Sequence, residues 1–428
     1  MWSQVLLKIT LNSPVTVALE TLGCKLNQAE TERLSTELAD MGCLIVNPDQ
    51  NADVYILNTC TVTHIADRKS RHFIRLAHRL NPQASIVVMG CYAERATAEV
   101  AAIEGVDLVI GNDQKNQLAK ILIEAGYIVP SKMFCEASLP DRTRAFIKAQ
   151  DGCNNSCSYC IVPLVRGAEK SLPPEQVIAE IRRRTDSGFQ EVVLTGTEIG
   201  RYRSEGLDIQ GLLDRILRET ALTRLRLSSL QPEEITSELV DMWQDPRLCR
   251  HFHLSLQSGS DSVLKRMNRH YTVNDYGEKI ARLRRNLTDV AVTTDLIVGF
   301  PGETEAEFEE SLALCRSLQF SRLHIFPFSA RKGTRAASLP AQISSQVKKE
   351  RSRKMLKLAG ESLQAFNQLF VGRTLEVLFE HSSNGCWTGL TGNYIKAYYR
   401  TEADLSNRLV QVKLVEAYRD GLLAEALV

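Results

Sequence analysis

Three cysteines that lie close together in the chain are the clearest candidates for chemistry. Cys153, Cys157 and Cys160 have the spacing C-x3-C-x2-C and directly follow an apolar segment that we predict to be a strand. Cysteine thiolates hold iron–sulfur clusters, and this short spacing lets three of them reach one cluster. Three thiolates leave one iron of a [4Fe–4S] cluster open. That iron can chelate S-adenosylmethionine (SAM), whose reductive cleavage would yield a 5′-deoxyadenosyl radical.

A zinc site is the main alternative for these cysteines. Structural zinc sites usually have four protein ligands, and no fourth Cys or His lies near the three in the sequence. The chain has eleven cysteines and no recognisable secretion signal. Metal ligation or redox chemistry is therefore favoured over a set of disulfides, and we predict a cluster with an open iron.

Three further cysteines are far apart in the chain but share a structural position. Cys24, Cys60 and Cys91 each follow a predicted strand. The carboxyl ends of parallel strands lie at one edge of a sheet, where ligands bind, so we expect these thiols to converge. Gly23 and Gly90 precede two of them and allow close approach of the backbone. The group is either a second three-cysteine cluster or three separately buried thiols that pack as small apolar side chains.

The elements that carry these cysteines follow from the hydrophobic pattern. Residues 15–125 alternate apolar runs with helical patterns, which predicts βαβ units in a doubly wound α/β domain. Residues 145–330 contain six more βα repeats, fewer than the eight of a closed TIM barrel, and predict a partial (β/α)6 barrel. Residues 371–428 predict a small all-β, OB-like barrel of the kind that often binds nucleic acid. The predicted domains are 1–135, 145–369 and 370–428, with a linker at 136–144.

We expect SAM to lie across the carboxyl ends of the barrel strands. No catalytic side chain is predicted, because the clusters and SAM would carry the chemistry. Each candidate contact could also be ordinary packing at a strand end. The candidates are Glu198 for the methionine amino group, Ser228 and Gln257 for other polar groups, the Ile297–Gly299 backbone for adenine, and Tyr159 and Phe328 beside the base.

Charge and hydropathy narrow the class of partner. The net charge is +1, so any contact with RNA must come from local patches. Arg68, His72, Arg75 and Arg79 recur at helical spacing after Cys60 and predict a basic face, which is either solvated or in contact with phosphates. No apolar run reaches the ~20 residues of a membrane span. These features predict a cytoplasmic protein without a membrane partner.

Motifs along nearly the whole chain resemble those of the radical SAM methylthiotransferases. The resemblance implies an N-terminal methylthiotransferase domain, a radical SAM core and a C-terminal TRAM domain that binds RNA. It also implies two [4Fe–4S] clusters: an auxiliary cluster on Cys24, Cys60 and Cys91, and the SAM-binding cluster on Cys153, Cys157 and Cys160. The motifs are TLGCKLNQAET, NTCTVT, MGCYAE, DGCNNSCSYCIVP, LTGTEIGRY, RLSSLQP, HLSLQSGSDSVLKRMNRHY, DLIVGFPGET and FPFSARKGT.

One branch of this family matches best. TLGCKLNQAET, NTCTVT and the basic DRKSR resemble the enzymes that convert N6-threonylcarbamoyladenosine at position 37 of tRNA to its 2-methylthio derivative. The isopentenyladenosine branch tends to have Gln–Met–Asn after the first cysteine, where this chain has Lys25–Leu26–Asn27. The alternatives are activity on isopentenyladenosine in tRNA, activity on a ribosomal-protein aspartate, and a non-catalytic iron–sulfur protein that binds RNA.

The resemblance also implies a mechanism and partners. One SAM would methylate a sulfur on the auxiliary cluster, and a second would give the radical that removes hydrogen from C2 of the adenine. That hydrogen is not acidic, so acid–base chemistry alone would not serve. The implied partners are the anticodon stem-loop of tRNA and an electron donor such as flavodoxin or ferredoxin.

The chain departs from the family pattern at two positions. Ala168 follows Arg166–Gly167 where the family usually has another Arg, which weakens the expectation of a basic substrate contact there. Glu198 stands where Asn is more frequent. That carboxylate would supply an acidic partner for the methionine amino group.

Overall fold

A computed structural model describes residues 14–130 and 143–427. These residues form two compact units. The first contains residues 14–130 and Ile161–Ala168, and the second contains residues 143–160 and 169–427. The segment that directly follows Cys160 therefore packs with the first unit. Cys135 lies outside the described residues, as does the expected linker at 136–144 apart from its last two positions.

A five-stranded parallel sheet forms the centre of the first unit. Its strands are β1 (Thr16–Thr21), β2 (Leu44–Val46), β3 (Val54–Thr59), β4 (Ser85–Gly90) and β5 (Val106–Ile110). Its helices are α1 (Lys25–Asp40), α2 (His64–Leu80), α3 (Cys91–Arg95), α4 (Thr97–Ala101), α5 (Leu118–Glu124) and α6 (Val162–Arg166). The strand order is β2-β1-β3-β4-β5, a doubly wound order in which ligands bind beside the β1/β3 switch point.

Both faces of this sheet are covered. Along β3, Val54 and Ile56 belong to one apolar cluster, whereas Tyr55 and Leu57 belong to the cluster on the opposite face. A strand buried on both sides needs apolar residues at consecutive positions, which explains the unbroken run in β3. Thr63 caps the N-terminus of α2, because its side chain accepts a hydrogen bond from the Ala66 N–H at 3.1 Å.

The second unit contains the predicted partial barrel. Its strands are β6 (Arg144–Lys148), β7 (Gln150–Asp151), β8 (Lys170–Ser171), β9 (Glu191–Thr195), β10 (Arg203–Ser204), β11 (Leu207–Asp208), β12 (Arg224–Leu227), β13 (Ser229–Leu230), β14 (His251–Leu254), β15 (Ala291–Val298) and β16 (Arg322–Pro327). Its helices are α7 (Pro174–Asp186), α8 (Ile209–Glu219), α9 (Ser237–Asp241), α10 (Asp261–Arg266), α11 (Val273–Asn286), α12 (Glu305–Leu318) and α13 (Ser345–Gln368). None of the helices in the described part of the chain is long and apolar enough to cross a membrane.

The barrel strands form two parallel sheets that the chain itself joins. One has the order β12-β9-β6 and the other β13-β14-β15-β16. Only Ser228 separates β12 from β13, so the two sheets continue each other through one interrupted strand. The α/β prediction of a partial barrel is confirmed.

The chain ends in a small closed barrel. Its strands are β17 (Thr374–Ser383), β18 (Cys386–Thr391), β19 (Lys396–Arg400), β20 (Leu409–Tyr418) and β21 (Gly421–Glu425), in the order β17-β18-β19-β21-β20. Val377, Phe379, Trp387, Ala397 and Leu414 belong to its apolar core. The strand-rich C-terminal region was expected, but β21 was not.

A buried ion pair of the partial barrel lies where that barrel meets the closed one. The Arg226 Nε lies 2.8 Å from Glu191 Oε1, and both side chains are fully buried. Arg226 also donates to the carbonyl of Gly392 at 3.0 Å, and the ring of Tyr394 stacks on His251 at 4.5 Å. Burial alone would raise the pKa of Glu191, but the guanidinium groups of Arg226 and Arg224 lower it to about 2.

Candidate functional site

The three cysteines of the first unit follow neighbouring strands at their carboxyl ends. Cys24 follows β1 and precedes α1, Cys60 follows β3, and Cys91 begins α3 directly after β4. A Cβ atom on Gly23, whose φ is +104°, would lie 2.6 Å from the Cys60 Cβ and 2.8 Å from its Sγ. Only glycine therefore lets the Cys24 loop lie this close to Cys60.

The Cys60 thiol lies in buried surroundings that shift its pKa. Burial raises the pKa of the Cys60 thiol to about 12. The Val62 backbone N–H opposes this rise, the charges of Cys24 and Cys91 increase it, and Arg166 lowers it. The three cysteines therefore lie after adjacent strands, at one edge of the sheet.

Asn27, in the first turn of α1, holds the loops of two of these cysteines. Its side-chain amide donates to the carbonyl oxygens of Leu22 at 2.8 Å and Thr59 at 3.1 Å. Its Oδ1 lies 3.8 Å from the Cys24 Sγ. One buried side chain thus couples the turn before Cys24 to the end of β3 before Cys60.

A buried charge network lies behind Asn27. Glu30 contacts Lys115 at 2.6 Å and Arg166 at 3.0 Å, and Arg166 also donates to the Asn27 Oδ1. All three charged side chains are nearly inaccessible. The Arg166 guanidinium is thereby held near the thiols, where its charge lowers the pKa of Cys60. Sequence reasoning missed this network, although Asn27 and Glu30 lie within the motif TLGCKLNQAET.

This donor set fits a cluster better than a single ion. Within residues 14–130 and 143–427, no three His, Cys, Asp or Glu side chains are placed to hold one metal ion. Cysteines that hold a [4Fe–4S] cluster each bind a different iron and so need not converge on one point. Three thiols with a nearby positive charge match a cluster, since thiolate charge must be balanced where the site is buried.

The C-x3-C-x2-C loop of the second unit follows β7. The Cys153 thiol donates to Glu198 Oε2 at 3.3 Å, and the Asn155 amide donates to Glu198 Oε1 at 2.6 Å. Burial raises the pKa of Cys153 to about 12, the Asn155 N–H opposes it, and the charge of Glu198 adds to the rise. Burial also raises the pKa of Glu198. The acidic candidate from the sequence therefore lies directly beside the first cysteine of this loop.

Three of the other candidates share one apolar cluster. Tyr159, Ile297 and Phe328 pack with Phe300 and Met267. The Phe328 ring is 5.4 Å from that of Phe300, in an edge-to-face arrangement. The residues proposed to surround adenine thus pack into one apolar cluster that is largely buried.

The last three candidates are Ser228, Gln257 and Gly299, each of which contacts other groups of the protein. Ser228, which interrupts the strand between β12 and β13, accepts a hydrogen bond from the Gly196 N–H at 3.4 Å. Gln257 has a φ of +69°, and its backbone carbonyl accepts a hydrogen bond from the Ile297 N–H at 2.9 Å. A Cβ on Gly299 would lie 2.4 Å from Lys348 Cγ. This glycine therefore allows α13 to pack closely, a role that the sequence did not predict.

Several aromatic and basic residues of the closed barrel make contacts within the second unit. Trp387 and Tyr398 are buried, Tyr394 stacks on His251, and Lys396 pairs with Asp420 at 3.3 Å. These side chains therefore serve the packing of the second unit.

The comparison with known proteins decides the family. The chain is 37% identical to the threonylcarbamoyladenosine tRNA methylthiotransferase MtaB of Bacillus subtilis, over 95% of this chain and 96% of the relative. It is 36% identical to the protein of the same name from Aquifex aeolicus, over 89% and 95%. The chain belongs to the radical SAM methylthiotransferase family. It is also 34% identical to the tRNA-2-methylthio-N(6)-dimethylallyladenosine synthase of Syntrophotalea carbinolica, over 95% and 98%.

Family models and a solved structure agree with this assignment. The Radical SAM superfamily model matches residues 147–315, and the model described as Uncharacterized protein family UPF0004 matches residues 16–111. The fold is similar to that of the radical SAM methyltransferase TsrM from Kitasatospora setae, with a TM-score of 0.58 and 16% identity over 76% of this chain and 77% of that one. Membership in the radical SAM methylthiotransferases implies SAM and a [4Fe–4S] cluster as cofactors.

Proposed function

We propose that this methylthiotransferase converts N6-threonylcarbamoyladenosine at position 37 of tRNA to its 2-methylthio derivative. Full-length similarity to relatives named for that nucleoside carries the choice of substrate. The placement of the cysteines supports the chemistry, because the first unit has three at the ends of adjacent strands and the second has three in the loop after β7. Relatives named for dimethylallyladenosine are slightly less similar, so that nucleoside is the alternative substrate.

We assign one cluster to each set of cysteines. Cys153, Cys157 and Cys160 would hold the cluster that binds SAM. Cys24, Cys60 and Cys91 would hold an auxiliary cluster, supported by the charge interactions among them and by Arg166. When bound, the first cluster supplies the electron that cleaves SAM, and the second supplies the sulfur.

The side chains of the second unit would position SAM. The Glu198 carboxylate is held beside Cys153 by Asn155 and would accept hydrogen bonds from the methionine amino group. Tyr159, Ile297 and Phe328 would seat the adenine and exclude water from the radical.

We also assign domains and partners on this basis. Residues 1–135 would form the methylthiotransferase domain, 145–369 the radical SAM core after a linker at 136–144, and 370–428 a TRAM domain. The partners would be the anticodon stem-loop of tRNA and, in the cytoplasm, a donor such as flavodoxin or ferredoxin.

A direct assay tests the proposed reaction. The protein is reconstituted anaerobically with iron and sulfide, then incubated with SAM, a reductant and tRNA bearing either N6-threonylcarbamoyladenosine or isopentenyladenosine. Mass spectrometry of the digested nucleosides should show a methylthio mass gain on the threonylcarbamoyl nucleoside alone. A gain on the isopentenyl nucleoside alone would refute the substrate assignment, and SAM cleavage without any gain would indicate a different substrate.

The basic face of α2 should contribute to tRNA binding. Arg68, His72, Arg75 and Arg79 are exposed on this helix in the first unit. If Arg68 and Arg75 contact phosphates, replacing both with Glu should weaken tRNA binding. It should also lower the slope of log Kd against log salt concentration by the amount expected for about two phosphate contacts. Filter binding across a range of salt concentrations measures both quantities.

The matched control reverses one exposed charge elsewhere in the same unit. Lys120 is 73% exposed on α5, and Lys120→Glu should leave both the affinity and the salt slope unchanged. A double variant of α2 that binds tRNA with the original slope would show that this face is merely solvated.

A further inference from the structure

The cysteine loop of the second unit is braced by the segment that follows α10. The Ser158 N–H donates to the Met267 carbonyl at 2.9 Å, and its hydroxyl donates to the Arg266 carbonyl at 2.9 Å. The Asn268 amide donates to the carbonyl of Ser156 at 3.0 Å. Residues 266–268 therefore hold the backbone on both sides of Cys157.

The next residue of that segment reaches the sulfur itself. Arg269 Nη1 donates to the Cys157 Sγ at 3.3 Å. Its other nitrogens are engaged, because Nε donates to the Tyr271 hydroxyl at 3.1 Å and Nη2 donates to Gln231 Oε1. The Tyr271 hydroxyl in turn donates to the Ser255 carbonyl at 2.7 Å. The guanidinium group is thus fixed from several sides, with one N–H aimed at a proposed cluster ligand.

Cys153 and Cys157 lie beside different ionisable side chains, a carboxyl group and a guanidinium group. Cys153 faces the Glu198 carboxyl group, whereas Cys157 faces a guanidinium group that remains protonated at any relevant pH. Hydrogen bonds to cluster sulfurs and nearby charge are among the factors that set the reduction potential of an iron–sulfur cluster. Reduction adds one electron to the cluster, so a cation and an N–H donor on the thiolate stabilise the reduced form more than the oxidised form.

We propose that Arg269 is a positioning residue that raises the reduction potential of the cluster held by Cys153, Cys157 and Cys160. This inference depends on the cluster assignment in the proposed function, but not on the RNA substrate. One electron from a low-potential donor enters the cluster, and Arg269 itself exchanges neither a proton nor a bond. Its effect would be to make the cluster reducible by a donor that could not otherwise reduce it.

The test measures the potential of this cluster alone. In the full-length chain, Cys24, Cys60 and Cys91 are replaced by Ala, so that one cluster remains, and Arg269→Gln and Arg269→Lys are made in that background. EPR-monitored redox titration gives the midpoint potential, and iron and sulfide analysis gives the cluster content. In Arg269→Gln the ratio of reduced to oxidised cluster at a fixed potential should fall at least about tenfold, a shift of ~59 mV to more negative values for one electron. Arg269→Lys keeps the positive charge but loses the planar guanidinium group, so its midpoint potential should shift less.

An exposed arginine provides the control. Arg282 donates to the Ser237 hydroxyl at 3.1 Å on an exposed face of the same unit, and Arg282→Gln should leave the potential unchanged. A fully loaded Arg269→Gln protein with the original potential would overturn the proposal. If Arg269→Gln fails to bind a cluster, the Arg269→Lys variant decides the question. An Arg269→Lys protein with the original midpoint potential, or without a cluster, would overturn the proposal. Absence of a cluster from the parent background would instead refute the cluster assignment.

Discussion

Replacing Cys157 with Ala should abolish formation of 5′-deoxyadenosine, whereas replacing Cys60 with Ala should abolish methylthiolation and leave SAM cleavage intact. Cys157 belongs to the loop beside Glu198 in the second unit, and Cys60 to the group at the end of β3 in the first. Loss of one of three thiolates should empty its own cluster while the other unit keeps its ligands. Each variant should therefore contain half the iron of the unaltered protein.

The measurement follows both products in one reaction. Chromatography quantifies 5′-deoxyadenosine, and mass spectrometry quantifies the methylthio nucleoside. Cys43 is a buried cysteine in the core of the first unit, so Cys43→Ala should keep both clusters and both products. If Cys60→Ala retained methylthiolation, or lost SAM cleavage as well, the division of labour between the two groups would be wrong.

Replacing Arg226 with Leu should lower the free energy of unfolding by about 3 kcal/mol, because buried Glu191 loses its nearest cation and keeps only Arg224, at 3.2 Å, as a paired charge. Glu191 is fully buried and lies 2.8 Å from Arg226. The substitution also removes the donor to the Gly392 carbonyl, which links the two barrels of the second unit. Urea unfolding followed by circular dichroism measures the change.

Two further variants separate the charge from the packing. Replacing Glu191 alone with Leu should cost more than replacing Arg226 alone, because it leaves two buried guanidinium groups, those of Arg224 and Arg226, without their carboxylate. Arg218 pairs with Asp214 on the surface, where both side chains are more than half exposed, and Arg218→Ala should cost at most about 1 kcal/mol. Equal stability of Arg226→Leu and the unaltered protein would contradict this account.

The same pair predicts a pH dependence with a definite sign. In the folded protein the pKa of Glu191 is lowered from 4.5 to about 2. A lowered carboxyl pKa contributes stability above the unfolded value, and that contribution is lost as pH falls from about 4.5 towards about 2. Arg226→Leu should show a smaller loss across this interval, because Glu191 no longer has its nearest cation.

Much of the fold follows from local pattern. Apolar runs alternating with helical periodicity predict β1, β3, β4 and β5 to within a residue or two, together with the six barrel strands. The missed elements are short and include β2, α5 and β21, which have three, seven and five residues. Segments this short contain too few positions for a period to stand out, and long-range pairing selects them.

The cysteine groups differ in how they can be recognised. Cys153, Cys157 and Cys160 lie within one loop, so their spacing alone brings them together. Cys24, Cys60 and Cys91 can be grouped from sequence because parallel strands share an edge. Contacts between distant segments cannot be grouped in this way, and the stacking of Tyr394 on His251 is one example.

Residue types, strand periodicity and cysteine spacing therefore suffice to predict two groups of cysteines and the strand ends where each group lies. The charged side chains that surround the cysteines cannot be predicted in the same way. Arg166 follows Cys160 closely in sequence but pairs with Glu30 near the other cysteine group, and Arg269 reaches Cys157 from beyond α10. Such contacts depend on how distant elements pack, and neither periodicity nor spacing within a segment encodes them, so only the tertiary structure reveals the charges beside each sulfur.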